Sequence, residues 1–465
     1  MVSGHVSSDE IRSRFSSAMS KMYRHEVPQY DTLLGIVEDI NSDILNNNIE
    51  IKEKLQSDGS INRLNVERHG AIRLGSPSEL NNCRRLFAIM GMRPVGYYDL
   101  SVAGVPVHST AFRPTNAVAL ERNPFRIFTS LLRIELIEDP SLRRKVEKIL
   151  NLRSIFSKKL INMVDSLEKF NKLTSDEADL FVEESINAFR WHQDTPVSRD
   201  MYEELHREHP LIADVVCFRG PHINHLTPRT LDIDRVQSVM QQHGITPKAI
   251  IEGPPKRKVP ILLRQTSFVA LNEEITFMGG GEGTVGTHTA RFGEIEQRGV
   301  ALTPKGRDLY DSLIEKAKSG KVDEYSSILK DLFKKFPDDE VILRREGLAF
   351  FQYKIIDNKK IKKSTDSLQE LIDTGSVEAI PITYEDFLPI SAAGIFHSNL
   401  NDQPAQTYST GSARDAFEKA LGCGVLDEMV LYEKIQNNSI ESIEKLLGRR
   451  LIDIPPTTKL SDVES

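Results

Sequence analysis

One order of segments is written twice along this chain, and that duplication restricts the fold more than any other feature. Residues 66–74 (VERHGAIRL) read as a strand, and residues 78–90 as a helix with Ser at its N-cap and Gly91 beyond its end. Residues 94–101, 105–113 and 125–132 read as three more strands, separated by Gly and Pro. After a long interruption the order returns. Residues 213–218 and 223–227 are predicted extended, and residues 234–242 form a helix closed by Gly244. Residues 249–252, 259–270 and 287–298 are then strands. Each half reads β-α-β-β-β. Two such halves face each other across a pseudo-two-fold axis, and a cleft lies between their curved sheets.

The flanking segments are helical. Ile11, Phe15, Met19 and Met22, then Leu33, Ile36, Ile40 and Ile44, recur near the helical period. Residues 138–192 are charged and helical, most simply with a solvated outer face. Helices are predicted again over 305–317, 323–336, 340–353, 413–421 and 426–447, with an extended piece at 380–390. The expected organisation is therefore 1–56 N-terminal helices, 57–137 first module, 138–212 helical insertion, 213–302 second module and 303–465 helical C-terminal region.

Composition narrows the partner. Among 465 residues, 27% are charged and the formal net charge is −7, which lacks the basic footprint of a nucleic-acid binder and favours a small molecule. Cys83, Cys217 and Cys423 form no C-x-x-C pair, so a metal would need nitrogen and oxygen donors. No apolar run approaches the roughly 20 residues that cross a bilayer, and the opening MVSGHVSSDEIRSRF has no apolar core of a secretory signal. A cytoplasmic protein with no membrane partner is expected. Oligomeric state is not written in these features.

Two histidines and one carboxylate on one face suit an iron(II) oxygenase centre, because they leave three coordination positions open. The duplication offers His69 in the first strand of one half, His225 at the matching place in the other, and Glu294 in the last strand of the second. Strand alternation puts His69, Ala71 and Arg73 on a common face, with the Arg73 fork matched to a carboxylate. Spacing alone leaves rivals open. Glu296 shares a face with Glu294, His222 lies in the same PHINH segment as His225, and His108 and His288 also fall on expected strands. The Gly-rich run 278–287 has no following Lys-Ser/Thr and reads as a hairpin loop, not a phosphate cradle. Trp191 and His192 read as packing at a helix end.

Longer motifs carry a family resemblance. VERHGAIRLG, MGMRPVGYYDLS, GVPVHSTAFRP, FRIFTSLLR, RGPHINHLTPRTLDID, EGPP, ILLRQTSF, HTARFGEIEQRG and YEDFLPISAAGIFHSNL together resemble the 2-oxoadipate dioxygenase/decarboxylase family of the vicinal oxygen chelate superfamily. The resemblance runs from about residue 10 to about residue 445. It implies an α+β fold of two βαβββ modules forming a metal-centred cleft, with large helical insertions and a C-terminal helical extension. It also implies that His69, His225 and Glu294 hold Fe(II), a site zinc or another divalent ion can fill. By the same resemblance Arg73 contacts the substrate, and Ile390 and Ser391 border it; family members commonly have Val where Ile390 stands.

The implied reaction takes 2-oxoadipate and O2 to 2-hydroxyglutarate and CO2, a step of lysine breakdown. The 2-oxo group and its neighbouring carboxylate are expected to take two open metal positions and leave one for O2. A metal-dependent isomerase or lyase of the same superfamily, acting on a 2-oxo acid without oxygen, is the rival that oxygen uptake separates.

Overall fold

The protein is described from a computed structural model, which covers residues 5–57, 59–170, 172–248, 250–268, 272–279, 284–289, 291–318, 324–357, 367–388 and 413–452. Two compact units divide the chain. The first comprises Met1–Glu252, Gln265–Glu296 and Pro389–Val425, and the second comprises Gly253–Arg264, Gln297–Leu388 and Leu426–Ser465. All three candidate metal-ligand residues belong to the first unit.

The N-terminal periodicity gives helices Ser8–Glu26, Pro28–Asn47 and Ile49–Ser57. Ser7 caps the first by accepting from Glu10 N, and Asp9 and Glu10 complement its positive end. Its buried stripe, Ile11, Phe15, Met19 and Met22, joins the core of the first unit, where the Phe15 ring meets Phe87, Phe125 and Phe189 edge-on. Arg12 is buried on the same helix. Its guanidinium donates to the carbonyls of Asn123, Met90 and Ala119 at 2.8–2.9 Å and pairs with Asp9 at 2.8 Å, which offsets the cost of burying the charge.

The first β-α-β-β-β series stands as read. It consists of β1 (Arg68–Leu74), the helix Pro77–Ile89, β2 (Arg93–Asp99), β3 (Val107–Arg113) and β4 (Arg126–Leu132). The helix starts slightly earlier than its sequence boundary, at a capping box of Ser76 and Glu79. A short helix, Ala117–Arg122, joins β3 to β4. The strands lie in the order β2-β3-β4-β1, and β5 (His225–Pro228) extends the sheet beyond β1. β1 runs parallel to β4 and antiparallel to β5. Every residue of β1, β3, β4 and β5 is buried, so polar side chains on these strands face protein and need partners.

The second series departs from the reading. Residues 213–218, expected extended, fall largely in the buried helix Pro210–Val216, where Pro210 occupies the first turn and the His209 side chain accepts from Leu211 N. A short apolar run fits either element, and this local start signal decided it. After β5 come the helix Ile233–Met240, β6 (Leu263–Ser267), β7 (Asn272–Thr276), β8 (Val285–Thr289) and β9 (Glu294–Arg298). The strand expected over 249–252 is reduced to a bridge between Glu252 and Gln265. The one expected over 287–298 splits into two: β8 pairs with β7, and β9 with β6. Residues 291–293 lie between the two, and at Gly293 a Cβ would lie 1.7 Å from the Phe268 ring.

The second unit contains β10 (Phe351–Ile355) paired antiparallel with β11 (Val377–Pro381), alongside the helix Glu428–Leu447. The helix expected over 340–353 ends at Arg345, because Gly347 turns the chain at φ +65° and the apolar residues after it enter β10. No helix among the described residues is long and apolar enough to cross a membrane.

Candidate metal centre

Pairing between β1 and β5 builds half of the site. Ala71 lies opposite His225, and His69 lies opposite Thr227. Opposed residues share a face, as do alternate ones. His69, Ala71, Arg73, His225 and Thr227 therefore project from one side, and the Ala71 methyl leaves room beside the His225 imidazole. Gly70, between two of these residues, faces the other way, where a Cβ would lie 2.5 Å from Ile223.

Glu294 arrives on β9. Its strand is tied to the chain after β5 by Thr230 N, which donates to Glu296 O at 2.8 Å. Just before the ligands, Phe292 N donates to Asn224 O at 3.0 Å. The buried Tyr23 hydroxyl lies 2.7 Å from the Phe292 carbonyl and 3.0 Å from that of Asn224. One side chain of the first helix thus braces the backbone in front of both His225 and Glu294.

One donor atom from each of His69, His225 and Glu294 lies within 4.8 Å of the other two, and all three residues are buried. His69 Nε2 is 3.0 Å from Glu294 Oε2, and His225 Nε2 is 3.5 Å from the same oxygen. The imidazoles stand perpendicular, with centroids 5.3 Å apart. Two donors orient the carboxylate: Thr227 Oγ1 donates to Oε2 at 2.7 Å, and Gln265 Nε2 donates to Oε1 at 2.9 Å.

The electrostatics suit a cation. Burial works to raise the Glu294 carboxyl, but the neighbouring imidazoles and the Thr227 hydroxyl outweigh it and hold the group below its ordinary range. Burial pushes His225 down to about 4, leaving a neutral imidazole at neutral pH. Burial also opposes charge on His69, yet Glu296 and Glu294 prevail and raise it. Among the described residues, neither ring nitrogen of His225 has a hydrogen-bond partner, although both are buried. An unsatisfied buried imidazole costs about 1–3 kcal/mol, and a metal bond at Nε2 would remove much of that cost. The donor set and its orphaned nitrogen fit a divalent ion.

The rivals find other places. Glu296 Oε2 approaches His69 from behind, 2.9 Å from Nδ1, and Arg126 Nη1 lies 3.9 Å from its other oxygen. Arg126 also donates to Glu67, which accepts from Arg63 and Arg229 as well, so a buried charge network stands behind His69. His222 and His288 approach Asp214 rather than the centre, at 3.1 and 3.0 Å. His108 packs against Phe417 and is pushed down to about 4 by burial. Trp191 packs on Phe218 and His222. Arg73 is buried on the ligand face of β1 and donates from Nη1 to Asp214 Oδ2 at 2.6 Å. Ile390 and Ser391 lie outside the described residues. Sequence reasoning missed Thr227, Gln265, Asp214 and the Glu67 network. Thr227 had a local signal, two residues from His225 on the same strand face, and Glu67 lies two residues before His69; Gln265 and Asp214 come from distant segments.

His69 and His225 on the five-stranded sheet and Glu294 on β9, which pairs with β6, bring two imidazoles and one carboxylate together, and that buried donor set fits the class of proteins built around one divalent metal ion. The profile of the 2-oxoadipate dioxygenase/decarboxylase family matches residues 15–399. The chain is 56% identical over 440 residues to the 2-oxoadipate dioxygenase/decarboxylase of Escherichia coli (strain K12), covering 93% of this chain and 98% of that protein. It is 50% identical over 455 residues to the protein of the same description from Pseudomonas putida, covering 95% and 98%. The crystal structure of the hydroxyglutarate synthase in complex with 2-oxoadipate from Pseudomonas putida superposes with a TM-score of 0.88 at 49% identity, covering 96% of this chain and 99% of that one. The chain belongs to the 2-oxoadipate dioxygenase/decarboxylase family, within the vicinal oxygen chelate superfamily.

Proposed function

We infer that this protein is an Fe(II)-dependent dioxygenase that converts 2-oxoadipate and O2 to 2-hydroxyglutarate and CO2. The observation that carries the reading is the convergence of His69, His225 and Glu294 within 4.8 Å, in a chain more than half identical to enzymes of that description. The atoms balance without a second substrate. The bond between C1 and C2 breaks and C1 leaves as CO2; one oxygen atom completes a new carboxylate at C2, and the other becomes the hydroxyl on the adjacent carbon.

Bound Fe(II) supplies the one-electron chemistry by which O2 reacts with a closed-shell 2-oxo acid. The side chains supply position. Thr227 and Gln265 fix the Glu294 carboxylate so that it is already oriented when a cation arrives. Glu296 sits at His69 Nδ1, which leaves Nε2 toward the centre. Arg73, on the same strand face, receives a substrate carboxylate; a 2-oxo acid without that group forfeits a charge-assisted hydrogen bond worth about 1.5–3 kcal/mol, which selects diacids. Ile390 and Ser391 are assigned to the substrate border on the family motif alone.

Residues 57–137 and 213–302 are read as the two modules of the cleft. The β2-β3-β4-β1 order of the first supports this, as does the β5, helix, β6 and β9 sequence of the second, with β7 and β8 as an inserted pair. A reducing cytoplasm fits the free, buried Cys83 and Cys217.

Oxygen consumption by the iron-loaded protein tests the reading, with 2-oxoglutarate and 2-oxopimelate as comparison substrates. The expected result is uptake of one O2 for each CO2 and each 2-hydroxyglutarate, fastest with 2-oxoadipate. Turnover of a 2-oxo acid in the absence of oxygen would replace the dioxygenase with an isomerase or lyase.

A further inference from the structure

Asp214 joins groups that the metal centre leaves unexplained. Its Oδ2 accepts from Arg73 Nη1 at 2.6 Å, and both side chains are buried. Its Oδ1 lies 3.0 Å from His288 Nε2, and His288 Nδ1 lies 2.9 Å from the Tyr202 hydroxyl. His222 Nε2 stands 3.1 Å from Oδ1, a close contact without hydrogen-bond geometry. Aromatic rings hold both imidazoles: Trp191 stacks parallel to His288 and edge-on to His222, and Phe218 touches each. The carboxylate is thus fixed by rigid groups on one oxygen and grips Arg73 with the other. Burial disfavours its charge, but Arg73 and then His222 outweigh burial and hold the carboxyl well below its usual range, so it remains an anion.

We propose that Asp214 is a positioning residue for substrate selection, locking the plane of the Arg73 guanidinium so that a substrate carboxylate meets a fork already set for it. The inference rests on the reading that Arg73 receives that carboxylate. Its physical basis is preorganisation. A guanidinium on a flexible stem loses rotamer freedom on binding an anion, whereas one tied to a fixed carboxylate has lost it beforehand. The relay from Tyr202 through His288 extends the constraint to the helix Arg199–Glu208. His222 and His288, which compete with the ligand histidines in the sequence, serve here as anchors for the residue that aims Arg73.

The test measures 2-oxoadipate binding to zinc-loaded protein by calorimetry and steady-state kinetics of the iron enzyme, for Asp214→Asn in the wild-type and Arg73→Ala backgrounds. Asp214→Asn keeps the shape and removes the charge, and circular dichroism and melting establish that it is folded. Its Kd and KM are expected to rise about tenfold or more with kcat changed far less. The same substitution should add nothing when Arg73 is already Ala. An unchanged Kd in Asp214→Asn, or an equal loss in both backgrounds, overturns the proposal. Arg73→Ala with wild-type Kd removes the reading of Arg73 and this inference with it; a normal Arg73 effect beside a silent Asp214→Asn removes this inference alone. Should Asp214→Asn fail to fold, Tyr202→Phe decides: a Kd raised about two- to threefold only in the presence of Arg73 supports the relay, and a wild-type Kd overturns it.

Discussion

His69 and His225 face each other across the same centre, yet their surroundings are opposite. Behind His69 stands charge: Glu296 at 2.9 Å, Arg126 beyond it, and Glu67 with three guanidinium partners. Behind His225 stands the Phe292 ring, with centroids 4.8 Å apart, and, among the described residues, no hydrogen-bond partner for either nitrogen. One imidazole is braced and made more basic; the other is kept neutral by burial. The difference teaches how a buried site can hold a cation without collecting excess negative charge. A single backed histidine and one carboxylate provide the field, while the second histidine contributes a lone pair at little electrostatic cost.

The largest expected effect tests whether both imidazoles are ligands at all. His69→Ala and His225→Ala should each reduce bound metal and turnover to about 1% or less, read by metal content after gel filtration and by oxygen uptake. Retained iron and activity in His225→Ala would remove the unbacked member of the pair.

A smaller effect separates the two backings. Glu296→Gln should weaken metal affinity about 10- to 100-fold in a chelator competition, because His69 loses the anion that orients it and raises its basicity. Phe292→Leu, on the other side, should stay within about threefold. Equal losses would erase the asymmetry.

The smallest effect is a pH dependence of the metal-free protein, and the two rings act on opposite limbs. His225 is depressed from 6.5 to about 4, so between those values the unfolded chain binds more protons than the folded one, and stability falls as pH falls through that window. His69 is raised, so its contribution is present below 6.5 and is lost as pH rises through the folded value. In chelator-treated protein, His225→Gln should therefore flatten the acid limb by roughly 1 kcal/mol near about pH 5.5. His69→Gln should instead remove stability on the acid side. Urea titrations across the pH range read both, and parallel curves for the two variants would contradict the opposite surroundings.

Much of β1 was legible because a strand has a fixed period. RHGAIRL places His69, Ala71 and Arg73 on one face wherever the strand is put, and the β1–β5 register brings that face against His225 and Thr227. The N-terminal helices were legible for the same reason at period 3.6. The second half resisted. Nothing local in residues 287–298 shows that the Phe268 ring packs against Gly293, just before β9, from outside the segment. Nothing local separates Glu294 from Glu296 either. Both reach His69, one at each ring nitrogen, and the lateral placement of β9 decides which faces His225 as well.

The sequence alone determined the donor chemistry, the faces of the strands and the family, since these depend on residue type, short periods and long motifs. Tertiary structure alone decided which carboxylate joins the two imidazoles, which groups back His69, and that Asp214 holds Arg73. The contacts of His69 with Glu294 and of Arg73 with Asp214 span 225 and 141 residues, and no local period can encode such a distance.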